Sequence, residues 1–138
     1  MELRPITDPE KVVNEEIRRC AKDGSKAAAT KHFVAIENGE EIAFVSLDIF
    51  PHPQESLVLY TLVVPKSLRR KGFGSQVLVE VERLAKEWRY AKVLLKPKPL
   101  DKSWSSKRLE RWYSNRGYMP SGPERPDVWT KALSERAT

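Results

Sequence analysis

Val64-Pro65-Lys66-Ser67-Leu68-Arg69-Arg70-Lys71-Gly72-Phe73-Gly74-Ser75 joins an apolar, strand-like run, Leu57 to Val64, to a strongly amphipathic helix pattern from about Gly72 to Trp88. A basic, glycine-bearing turn between a strand and a helix N-terminus suits an anion, most often a phosphate or pyrophosphate. The first backbone N–H groups of a helix lack intrahelical partners, and the helix dipole adds partial positive charge there. Gly72 and Gly74 carry no Cβ, so the backbone can approach a ligand closely or take unusual dihedrals. Arg69, Arg70 and Lys71 add full charges around that approach.

The charge of the chain follows the same division. Net charge is +6 over 138 residues. Residues 1–65 hold seven Lys/Arg against eleven Asp/Glu, whereas residues 66–138 hold eighteen against eight. The positive half therefore contains the phosphate-suited turn, which fits a phosphorylated cofactor, a nucleic acid, or both. Many of these cations individually do no more than solvate a helix face. With 40% apolar and 32% charged residues the composition is that of a globular domain, and the length fits one domain covering residues 1–138. Cys20 is the only cysteine. It excludes an internal disulfide framework and a Cys-based zinc cluster and favours a reducing compartment. Its place on the apolar face of the first helix pattern implies burial rather than reactivity. No leader pattern and no run approaching the ~18 apolar residues of a membrane span is visible, so a soluble, cytoplasmic protein is expected.

Working outward, residues 2–6 read as a short edge strand. Asp8-Pro9 reads as an N-cap with proline in the first turn of a helix bearing Val13, Ile17 and Cys20, stopped at Gly24. His32 to Glu37 and Glu41 to Phe50, joined by Asn38-Gly39, form a hairpin pattern. Pro51-His52-Pro53 breaks the chain before the strand at about Ser56 to Val64. Val77, Leu78, Val81, Leu84, Ala85 and Trp88 make one helical stripe. Ala91 to Leu95 is a short buried strand, and Ser103 is placed to cap a helix carrying Leu109, Trp112 and Tyr113. A final hairpin runs from Tyr118-Met119 to Asp127–Leu133. The expected fold is α/β (α+β): a mixed, mostly antiparallel sheet of six or seven strands flanked by helices, with a parallel crossover at 57–95.

The glycine pair fits neither common nucleotide signature. The dinucleotide fingerprint needs a third glycine where Val77 stands, and the hydrolase phosphate loop needs Gly-Lys-Ser/Thr. The string Arg69, two residues, Gly72, one residue, Gly74, after a strand ending in Val, instead closely resembles the pyrophosphate-binding motif of the GNAT superfamily of N-acetyltransferases. A second stretch, Leu109-Glu110-Arg111-Trp112-Tyr113-Ser114-Asn115-Arg116-Gly117-Tyr118, resembles the final motif of that family. There an apolar-Tyr pair precedes Gly-aromatic by three intervening residues. Together the two motifs and the element order cover most of the chain.

The resemblance implies an acyl-CoA fold and an N-acetyltransferase that uses acetyl-CoA as acyl donor, with no metal. It implies that Leu62, Val63 and Val64 hold the pantetheine arm on a splayed strand. The pyrophosphate would sit on the amides of Arg70, Lys71, Gly72, Phe73, Gly74 and Ser75, with Arg69 shaping the turn. Tyr113 matches the tyrosine that gives a proton to the departing thiolate, and a phenol of pKa about 10 suits an alkyl thiol leaving group. Where many members carry a cofactor-contacting Asn, this chain has Ser106, a weaker hydrogen-bonding substitute. Leu57-Val58-Leu59-Tyr60 holds no carboxylate, so the base some members carry there is missing. His52 and Glu55 lie nearest, each with the ordinary reading of a solvated loop residue.

The acceptor is not written in the sequence. Arg89, Lys92, Lys96, Lys98, Lys102, Lys107, Arg108, Arg111 and Arg116 are interleaved with Trp88, Tyr90, Trp104 and Trp112. This basic stretch, 86–116, fits an anionic small-molecule or macromolecular amine, with no membrane partner and a homodimer left open. The alternative is a nucleic-acid-binding protein that uses this face, with a non-catalytic acyl-CoA fold; interleaved aromatics and cations favour single strands or RNA. Paired Cys/His sets and an aromatic RNP-type strand are absent from the sequence.

Overall fold

In the computed structural model, which describes residues 1–49, 55–99 and 104–133, seven strands form one sheet. These are β1 (Glu2–Pro5), β2 (Thr30–Glu37), β3 (Glu40–Asp48), β4 (Ser56–Val63), β5 (Lys92–Leu95), β6 (Met119–Pro120) and β7 (Trp129–Ala132). The helices are α1 (Glu15–Asp23), α2 (Phe73–Glu87) and α3 (Ser106–Ser114). Sheet order is β1-β2-β3-β4-β5-β7-β6, and only β4 and β5 run parallel. This is the mixed, mostly antiparallel sheet with flanking helices that the sequence predicts. Among the described residues no helix is long and apolar enough to cross a membrane.

The period-2 patterning of the strands gives the sheet two apolar faces. Phe33, Ala35, Val45, Leu47, Leu57, Leu59, Val93 and Leu95 join Val77, Leu78, Val81 and Ala85 of α2, and Tyr118, in the main core. Trp112 and Tyr113 of α3 pack onto the same cluster. On the other face Val34, Ile36 and Phe44 meet Val12, Ile17 and Ala21 from the α1 region. Removing each Val, Leu, Ile or Phe side chain among them from water is worth about 1.5–3 kcal/mol, so both faces need their helices.

The hairpin turn is as expected, with Asn38 at φ 52° and Gly39 at φ 79°, the left-handed pair that Asn-Gly tolerates. Strand ends shift by one to two residues in several places, and four differences from the sequence reading matter more. Asp8-Pro9 opens only a one-turn 3-10 segment, Pro9–Lys11; α1 begins at Glu15, where the Asn14 side chain accepts from the Ile17 amide at 3.0 Å. Trp88 lies past the end of α2 and is 40% exposed rather than part of the buried stripe. The strand before the turn ends at Val63, leaving Val64 in the connection. Ser105 caps α3 through the Arg108 amide at 3.1 Å, while Ser103 lies outside the described residues, as do Phe50 and His52. Cys20 is half-buried beside the α1 core, and burial pushes its thiol pKa up.

Two irregularities of β4 set up the site. Ser46 pairs with Thr61 but Leu47 pairs with Leu59, so Tyr60 is an extra residue, a β-bulge, and it stands 60% exposed. The bulge reverses the inward phase: Leu57 and Leu59 enter the α2 core before it, and Leu62 packs there after it. On its other edge β4 pairs with β5 only at Ser56, Val58 and the residue between them. From Leu59 to Val63 that edge makes no ladder contact among the described residues.

Candidate functional site

The chain leaves β4 through Val64 and Pro65 into a single 3-10 turn, Lys66–Leu68, closed by the Leu68 amide on the Pro65 carbonyl at 2.9 Å. Arg69 then folds back and donates through Nε to the Val64 carbonyl at 2.8 Å. Arg70 follows at φ 67° and Gly72 at φ 82°. A non-glycine residue in this left-handed region costs about 1–2 kcal/mol, so the turn is held in a shape that its sequence does not favour by itself.

The two glycines have different physical roles. Gly72 is needed for its positive φ, since an added Cβ would meet nothing within 4 Å. Gly74 allows close packing: a Cβ there would lie 3.5 Å from Cζ2 of Trp112 and 4.0 Å from Cγ2 of Val64. The first helical hydrogen bond is Gln76 N–H to the Gly72 carbonyl at 3.2 Å. The amides of Arg70, Lys71, Gly72, Phe73, Gly74 and Ser75 donate to no acceptor among the described residues. Such donors at a helix start, beside exposed Arg70 and Lys71, have the chemistry to receive an anion.

The carbonyl and amide groups of Leu62 and Val63 that face away from β3 open onto the gap where β5 has ended. Leu62, Val63 and Val64 are each half-buried. An extended chain carrying amides can pair with such an edge as another strand would. The residues present therefore fit a ligand combining an extended amide-bearing arm with a diphosphate.

Helix α3 supplies the remaining groups. Trp112 and Tyr113 stand edge to face with ring centroids 5.0 Å apart, and Tyr113 meets Tyr118 at 5.7 Å. Burial pushes the Tyr113 phenol up to about 12. Its hydroxyl bonds to nothing among the described residues, whereas the Tyr118 hydroxyl donates to Glu82 Oε2 at 2.9 Å. Of the two tyrosines in the final motif, only Tyr113 has an uncommitted O–H. Glu82 also takes Lys131 Nζ at 3.0 Å, and burial with the neighbouring carboxylate drives the Tyr118 phenol far above its ordinary range. Ser106 is exposed at the start of α3.

Sequence reasoning did not assign the contacts of Arg116. Its Nε and Nη2 both donate to Ser75 Oγ, at 3.0 and 2.6 Å, and Nη1 donates to the Trp112 carbonyl at 2.9 Å. Its guanidinium carbon lies 4.0 Å from the centroid of the Trp112 ring. The four-residue spacing from Trp112 to Arg116 signals the stacking; nothing local signals the bond to Ser75, which is 41 positions away. Glu55 is exposed and paired with Lys92 Nζ at 3.5 Å, so its carboxylate is occupied outside the gap. Among the described residues no group of three His, Cys, Asp or Glu side chains is arranged to hold a metal ion.

Comparison with known proteins agrees with the fold. The profile of the acetyltransferase (GNAT) family matches residues 2–104. No curated protein sequence matches the chain. Among solved structures, a GNAT family acetyltransferase from Elizabethkingia anophelis with acetyl-CoA bound superposes at TM-score 0.66 and 19% identity, over 96% of this chain and 97% of that one. AtaTR bound with acetyl-CoA superposes at 0.65 and 12%, over 96% and 92%. The KacTA–DNA complex gives 0.64 and 13%, again over 96% and 92%. At these identities the likeness to each structure is one of fold.

Proposed function

The chain belongs to the GNAT acetyltransferase family, and we propose that it transfers an acetyl group from acetyl-CoA to an amine by direct attack within a ternary complex. The observation that carries this reading is the run of amides from Arg70 to Ser75, at the start of α2 and without an acceptor among the described residues, next to the one-sided edge of β4. Bound acetyl-CoA supplies an activated thioester. The amides of residues 70–75 take the diphosphate, Arg69 holds the turn by its bond to Val64, and Leu62, Val63 and Val64 take the pantetheine arm. Ser106, exposed at the start of α3, would be a weaker polar contact to the cofactor. Fixing both reactants and placing β4 amides near the developing oxyanion supplies most of the rate.

In the transfer the neutral amine nitrogen bonds the acetyl carbon, the C–S bond breaks, and the nitrogen loses a proton while the sulfur gains one. Tyr113 is the donor to sulfur, because its hydroxyl is uncommitted and its phenol stays protonated at neutral pH. Glu55 is unsuited to accept the proton from nitrogen, since it is exposed and paired with Lys92. The acceptor is an amine whose anionic parts suit the basic C-terminal half.

The reading as a nucleic-acid-binding protein needs free aromatic faces for stacking. Trp112 is instead packed against Gly74 and Arg116, and Arg108 lies 4.4 Å from the Trp104 ring centroid. This favours the enzyme, with nucleic acid entering at most as acceptor. Calorimetry with acetyl-CoA, followed by a thiol-release screen against pools of amines that include tRNA and peptides, tests the proposal. Salt-sensitive RNA binding without any heat from acetyl-CoA overturns it.

A further inference from the structure

We propose that Arg116 is a positioning residue which ties the proton-donor helix α3 to the cofactor seat on α2, so that filling the seat fixes Tyr113. The inference rests on the acetyl-CoA reading above. Three of the five guanidinium donors hold two neutral oxygens, the Ser75 hydroxyl in the first turn of α2 and the Trp112 carbonyl in the last turn of α3. Trp112 is the immediate neighbour of Tyr113, and its ring is clamped between the Arg116 guanidinium and Gly74. No carboxylate lies within ion-pair reach of Arg116 among the described residues. The cation therefore has no carboxylate partner among the described residues; it is held by the C-terminal carbonyl end of α3 and the Trp112 ring, and lies close to the start of α2, whose partial charge has the same sign.

An anion on that helix end removes the repulsion and strengthens the pull of Arg116 on Ser75 and Trp112. A groove of about 490 Å³ lined by Ser75, Leu78, Glu82, Asn115, Arg116 and Lys131 runs alongside. Trp112 and Tyr113 also pack toward α2, but beyond them the exposed Ser114 and Asn115 contribute no side-chain bond among the described residues, so Arg116 is the polar tie at this end.

Hydrogen–deuterium exchange of the full chain, with and without acetyl-CoA, tests the tie beside calorimetric affinity. In the wild type acetyl-CoA slows exchange in both the α2 first turn and residues 109–116, by roughly tenfold or more in α3. In Arg116→Met the α2 turn is still slowed by ligand but α3 is not. Arg116→Lys keeps the charge without the fork, so it recovers affinity yet leaves α3 unslowed. Ser75→Ala reproduces the loss in α3, and Arg116→Met adds nothing to it in the double variant.

Equal ligand-induced slowing of α3 in wild type and Arg116→Met overturns the tie, as does full recovery by lysine. If wild type shows no acetyl-CoA heat, the functional reading fails by itself. The tie is then judged on ligand-free protein, where Arg116→Met must speed exchange in α3 and in the α2 first turn, and is overturned if it does not. Should Arg116→Met fail to fold, Ser75→Ala removes the two of its three bonds that reach α2 and decides the matter alone.

Discussion

The indole of Trp112 lies against the backbone of Gly74, close enough that a methyl group there would touch Cζ2 at 3.5 Å. That is ordinary van der Waals contact, so Gly74→Ala keeps acetyl-CoA affinity within a fewfold. Gly74→Trp has no room on the Trp112 side, and its indole must occupy the diphosphate seat. Calorimetry is expected to show no acetyl-CoA binding for it. A tryptophan variant that binds normally places the cofactor elsewhere.

Arg70 sits at φ 67°, where a side chain is strained. Arg70→Gly relieves about 1–2 kcal/mol of that strain, and thermal unfolding is expected to move upward by several degrees. The same change removes a cation from the seat, so acetyl-CoA affinity falls, more steeply at low salt. Unchanged acetyl-CoA affinity in Arg70→Gly contradicts the assignment of Arg70 to the seat.

Tyr113→Phe leaves the edge-to-face packing on Trp112 intact but removes the uncommitted hydroxyl. Turnover is expected to fall by about 10²–10⁴-fold with acetyl-CoA affinity nearly unchanged. Because burial raises the phenol to about 12, the donor stays protonated through the whole neutral range. The rate should rise with pH as the acceptor amine deprotonates, with no decline from Tyr113 until near pH 12. The linkage has a definite sign. The folded pKa exceeds the unfolded value of about 10, so stability is unaffected below about pH 10 and is lost as pH climbs through about 12. Unchanged turnover in Tyr113→Phe removes the phenol from this role.

Tyr118→Phe deletes a 2.9 Å hydrogen bond to the Glu82 carboxylate. A bond to a charged group contributes about 1.5–3 kcal/mol, and the melting temperature is expected to drop by roughly 3–10 °C. Lys131 still holds Glu82 at 3.0 Å, so acetyl-CoA affinity should change little. Loss of binding instead of stability would move Tyr118 from the core into the site.

The strand, turn and helix around residues 57–88 were legible because their signals are local: an apolar run, glycines at fixed offsets and a helical stripe. Tyr113 was legible through its spacing from Gly117-Tyr118. The start of α1 was misplaced because Asp8 and Asn14 are both good caps, and only the tertiary contact of Glu41 with the Val13 and Asn14 amides selects the second. Trp88 was misread because a periodic stripe continues on paper after the helix has ended. The bond from Arg116 to Ser75 had no local trace, since it depends on how α3 docks on α2.

The bulge at Tyr60 makes the far end of β4 sensitive to length rather than identity. Substituting Tyr60, whose ring stands in solvent, changes a surface; deleting it would invert the facing of every later position in the strand. Leu62 would turn toward α1, Val63 toward α2, and the main-chain groups bordering the gap would rotate with them. The spacing between Leu59 and Thr61 should therefore tolerate exchange of the side chain and resist insertion or deletion.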